Sequence, residues 1–83
     1  MKEITKIDVL GTPYTIFISS MIEDKKLESM DGYTDSTVKD IVVFDLKDCA
    51  EDVTAKKDLK AYQTQVLRHE IIHAFFEESG LSN

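Results

Sequence analysis

The sequence predicts an α+β domain, a small antiparallel sheet of about three or four strands packed on one long C-terminal helix. Three observations carry this. In the first half, β-branched and aromatic residues gather in short runs parted by turn signals at Gly11-Thr12-Pro13 and Asp31-Gly32. One of those runs, Ile41-Val42-Val43-Phe44, is apolar without a break. From Thr54 to Ser79 the chain has neither Gly nor Pro, and Gly80 follows.

Residues 2–9 alternate, with Ile4 and then Ile7 and Val9 apolar among charged neighbours. This predicts a half-buried strand with a slip of phase near Thr5-Lys6, the mark of a bulge. Tyr14 to Ser19 is a second strand, and the turn signal between them makes a hairpin. Glu23-Asp24-Lys25-Lys26 is polar and predicts a short helical turn or a loop. Tyr33-Thr34-Asp35 starts a third strand, which Asp35-Ser36-Thr37 turns. Ile41–Phe44 is a strand buried on both faces or bordering a cleft. Asp45 to Asp52 predicts an acidic loop without the spacing of a calcium site. Asp52 or Thr54 caps the helix. Gly80 suits the left-handed position after its last turn, with Leu81 folding back on Phe76. The helix then has about 24 residues.

Eighty-three residues make a single domain spanning 1–83. A net charge of −6 and the lack of any basic run argue against nucleic acid or anionic lipid as partners. No segment is apolar enough for a signal peptide or a membrane span. The single cysteine, Cys49, has no partner for an internal disulfide, so a reducing cytoplasm is the expected location. Cys49 itself predicts an ordinary small apolar residue.

His69-Glu70-Ile71-Ile72-His73 holds both histidines of the chain. On a helix, residues four apart share a face one turn apart, so His69 and His73 can aim two imidazole nitrogens at one point. Neutral imidazole is a preferred zinc ligand. Glu70 is rotated about 100° from His69, close enough to take a proton from a water held there. By chance, roughly one window in tens of thousands would match this pattern. At 100° per residue, Leu59, Tyr62, Val66, Glu70, His73, Ala74 and Glu77 form one broad face, with His69 and Phe76 at its edge. Ile71, Ile72 and Phe75 fall on the opposite side. A helix that is apolar all round needs cover on every side, so a second subunit or a further C-terminal segment is expected over those three residues.

The phrase Val66-Leu67-Arg68-His69-Glu70-Ile71-Ile72-His73-Ala74-Phe75, on a long helix after a small sheet, resembles the zincin metallopeptidases. It is most similar to small phage- or prophage-type enzymes of Gram-positive bacteria, with a distant similarity to ImmA/IrrE-type and SprT-like proteins. The resemblance spans residues 62–81 and, more weakly, Asp31 to Phe44. It implies Zn2+ as cofactor, His69 and His73 as its ligands, Glu70 as general base and acid, and a peptide or protein as substrate. It also implies that Ile41–Phe44 walls the cleft and pairs with an extended substrate.

Such enzymes take a third protein ligand from beyond the motif helix, and this chain stops ten residues after His73. Glu77 is a weak candidate, since its Cα lies about 6 Å further along the helix than His73. Asp35 or Asp45 from the sheet, a carboxylate from a second copy, or a shortened site are the other options. Glu77 and Glu78 otherwise predict exposed acids on a last turn whose dipole disfavours them, a local cost that points weakly to a positive charge nearby. Tyr33 and Tyr62 predict packing more than oxyanion donation. The alternative to an enzyme is a non-catalytic interaction or regulatory module on the same scaffold, suggested by the short C-terminus and the uncovered apolar side.

Overall fold

The computed structural model describes residues 1–45 and 56–80, the first three residues of the helix by backbone only. Strands β1 (Lys2–Val9), β2 (Thr12–Ser19), β3 (Gly32–Asp35) and β4 (Asp40–Phe44) precede one helix, α1 (Lys56–Ser79). The domain is α+β, with a four-stranded sheet packed against a long C-terminal helix. The predicted caps Asp52 and Thr54, Cys49 and Leu81 lie outside the described residues. Among those described, no helix is long and apolar enough to cross a membrane.

β1 and β2 form the expected hairpin, with the register shift between Glu3 and Thr5, one residue ahead of the predicted slip. The turn itself is Leu10-Gly11, with φ of 51° and 88°. Two positive φ values match a two-residue connection to the right-handed twist of the strands. Thr12 and Pro13 already belong to β2. The polar stretch at 23–26 does turn helically. Lys25–Glu28 is a single 3₁₀ turn, capped by Asp24, whose side chain accepts from the Lys26 amide.

The sheet is mixed and not wholly antiparallel. Its order is β1-β2-β4-β3, with β2 and β4 parallel and β3 antiparallel to β4. The chain leaves β2, crosses by the 3₁₀ turn, forms β3 at the edge and returns through β4 into the space beside β2. β4 is therefore an interior strand, which is why Ile41, Val42, Val43 and Phe44 are all buried. Both of its edges are occupied, so it cannot pair with a substrate as expected. β3 is the edge strand next to it.

The core lies between the sheet and α1. Val9, Tyr14, Ile16, Ile41, Val43 and Phe44 meet Ala74, with Ile7, Val66, Leu67 and Ile71 packed around them. Ile71 thus faces the core rather than the far side. The helix is turned by about 50° from the predicted orientation, half a residue step. That rotation engages Leu67 and Ile71 as well as Val66, which buries more apolar surface. Tyr62, His69, His73 and Glu77 swing outward and are exposed. Ile72 and Phe75 are exposed on the far side of the helix, and Phe76 joins them.

Candidate functional site

α1 lies tightly on the edge strand because Gly32 has no side chain. A Cβ there would stand 2.8 Å from Val66 Cγ1 and 3.0 Å from the Val42 carbonyl oxygen. This close approach brings Glu70 against β3. Glu70 is 7% exposed, and its Oε1 lies 3.0 Å from Thr34 Oγ1. The same hydroxyl is 2.9 Å from the Glu70 carbonyl oxygen. A hydroxyl has one hydrogen to give, so Thr34 serves one acceptor at a time and clasps both ends of Glu70. A buried carboxyl held by a hydroxyl keeps one orientation, which a solvated glutamate would not.

One turn apart, His69 and His73 bring their Nε2 atoms to 2.9 Å, with ring planes at 87°. Two neutral imidazoles satisfy this contact when one Nε2 donates to the other. Two ligands of a tetrahedral zinc at about 2.05 Å stand about 3.3 Å apart, so holding the ion needs a spread of about 0.4 Å. Both rings are exposed, and a small change of side-chain torsion supplies it. The donor set and the convergence fit two positions of a zinc site.

His73, Glu70 and Glu77 line a groove of about 460 Å³, whose opposite wall is Gly32, Tyr33, Thr34 and Ser36, with Met30 at one side. His69 stands outside that lining, at the rim. The three residues of this chain predicted as sources of a third ligand fare differently. Glu77 faces the groove beside His73, yet among the described residues no three His, Cys, Asp or Glu side chains gather to hold a metal. Asp35 accepts from the Thr37 amide at 3.0 Å and so closes its own turn. Asp45 follows β4, with its amide on the Ser19 carbonyl, and neither aspartate lines the groove.

Tyr33 and Tyr62 are engaged through their hydroxyls, Tyr33 donating to Asp24 and Tyr62 to Asp31. Burial, then Asp24, pushes the Tyr33 hydroxyl well above its ordinary pKa. Neither tyrosine has its proton turned toward the histidines.

Glu78 departs from the exposed acid that the sequence predicts. It accepts from Lys39 Nζ at 2.7 Å, Tyr14 OH at 2.6 Å and Thr12 Oγ1 at 2.8 Å. These donors, Lys39 first, hold its carboxyl down at about 2. The cation expected near the acidic last turn is Lys39. Thr34, Gly32 and Glu78 are the residues that sequence reasoning missed. Gly32 gave a signal that spoke for a turn, Glu78 gave only the unfavourable dipole of its turn, and Thr34 gave none.

Comparisons with family models, with curated proteins and with solved structures found no match to this chain.

Proposed function

We propose that this domain is a zinc-dependent peptidase. The observation that carries the reading is the meeting of the two Nε2 atoms at 2.9 Å beside a groove that also holds the buried Glu70. His69 and His73 would hold the ion, and a zinc ion there supplies a water of lowered pKa and a polarised carbonyl. Glu70 moves the proton. Its carboxylate accepts from the attacking water and delivers to the leaving amine nitrogen. Thr34 Oγ1 orients that carboxylate, and burial of Glu70 keeps bulk water from competing for it. β3 ends the sheet, and among the described residues nothing pairs with its outer side. An extended peptide fits there as an added strand, its backbone running past Glu70 and His73.

Metal content and one substitution test this. Protein purified with zinc present carries about one zinc per chain, and His69→Ala or His73→Ala loses it. Glu70→Gln keeps the metal and abolishes cleavage of unstructured peptides. Wild-type protein without zinc under those conditions overturns the proposal. A second reading, a non-catalytic module on the same scaffold, draws on the exposure of Ile72, Phe75 and Phe76. Under it, the wild type cuts no peptide, and Glu70→Gln leaves zinc binding, partner binding and oligomeric state intact.

A further inference from the structure

The outer side of α1 is apolar where no other part of the described chain reaches it. Ile72 is 52% exposed, Phe75 44% and Phe76 42%. Around the helix, Ile72 points directly away from the buried Glu70 and Ala74, with Phe75 and Phe76 on either side of it. Ala61, Gln65, Arg68, Ile72, Phe75 and Ser79 follow one another at alternating spacings of four and three. That spacing is the seam along which two helices pack.

We propose that this seam pairs with the same seam of a second copy, the two helices antiparallel about a two-fold axis. Charge favours this occupant. The last turn of α1 holds no basic residue of its own, although the helix dipole leaves about half a negative charge there. Arg68 is exposed, and among the described residues no ion pair involves it. With the axis between Ile72 and Phe75, Ile72 of one chain meets Phe75 of the other, and Arg68 falls opposite Ser79. Each copy then sets a guanidinium on the negative end of the other helix, and the surface is complementary to itself.

Area agrees with a small interface. Three side chains, each exposing about 100 Å², give about 300 Å² of apolar surface per chain. At the usual apolar share of about 60%, the whole patch is about 500 Å² per chain, or about 1,000 Å² in the pair. That lies at the lower end of specific interfaces, the size typical of weak, transient pairs, so association is to be looked for at micromolar concentrations and above. The groove stays open in it. His73 lies about 100° round the helix from Ile72, and Glu70 and Glu77 lie further still.

Sedimentation of the full chain from about 5 to 500 µM tests this, and it does not depend on metal or activity. The expected result is a shift from the 9.4 kDa monomer to twice that mass. Ile72→Asp and Phe75→Asp should each leave a monomer throughout, with an unchanged circular dichroism spectrum because both positions are exposed. Arg68→Glu should weaken the dimer at least tenfold. A wild type that stays monomeric at 500 µM overturns the proposal. So does a dimer that survives both aspartate substitutions, or a mass that keeps rising past two copies.

Discussion

Glu78 gathers three donors from two parts of the chain. Thr12 and Tyr14 come from β2, and Lys39 from the turn before β4. Lys39 holds a φ of 61°, which a non-glycine residue adopts at a cost of about 1 kcal/mol. Its ion pair with Glu78 offsets part of that. The consequence is a pH dependence with a definite sign. The carboxyl titrates at about 2 in the fold against an ordinary 4.5. Because the folded value is the lower one, its stabilisation is complete above about pH 4.5 and is lost as pH falls toward 2. Melting temperatures recorded from pH 2 to 6 should show the wild type well above Glu78→Gln at pH 6 and close to it near pH 2. A constant gap across that range would mean the clamp does not form. None of this was legible in the chain, where Thr12, Tyr14, Lys39 and Glu78 stand far apart and only a weak dipole argument called for a nearby cation. The two histidines and Glu70 were legible, because helical spacing alone puts them within a turn.

Two elements turn on single backbone positions. The β1–β2 turn asks Leu10 for a φ of 51° while leaving 58% of it exposed. Asparagine tolerates that region, and Asn-Gly is the preferred pair for such a turn. Leu10→Asn should therefore stabilise the domain by about 1 kcal/mol, raising the melting temperature by about 4–8 °C. Gly32 is the opposite case. A methyl group there meets Val66 Cγ1 and the Val42 carbonyl, and the carbonyl cannot yield without disturbing the sheet. Gly32→Ala should cost about 1–3 kcal/mol and lift α1 from β3, breaking the contact of Thr34 with Glu70. Calorimetry measures the first effect, and loss of protection at amides of α1 the second. The hairpin, the interior run at Ile41–Phe44 and the helix that ends before Gly80 follow from local pattern. The parallel pairing of β2 with β4 does not, because it depends on how the 3₁₀ crossover and β3 are laid at the edge. The orientation of α1 was misjudged for a related reason. A second half that is apolar on every side leaves Ile71 no preference until the sheet supplies one.

At the scale of the molecule, a chain of 83 residues buries a small core and is marginally stable by itself. Whatever binds only the folded form then has a large effect on its melting. The paired histidines offer such a handle, since His69 and His73 approach as they do only while α1 is intact through residues 69–73. At free zinc a hundredfold above its dissociation constant, linkage adds about 2.7 kcal/mol. For a domain of this size that is a rise of about 10–20 °C in the melting temperature. Both imidazoles are exposed, so His73→Ala removes no core contact and should leave the metal-free melting temperature almost unchanged while erasing the rise. Excess chelator should return the wild type to the same baseline. The predicted contrast lies in the response to zinc and not in stability itself, which separates a metal grip from a merely structural histidine pair. If zinc raises the wild type and His73→Ala equally, the ion binds elsewhere, and the groove between α1 and β3 has lost its claim to be a metal centre.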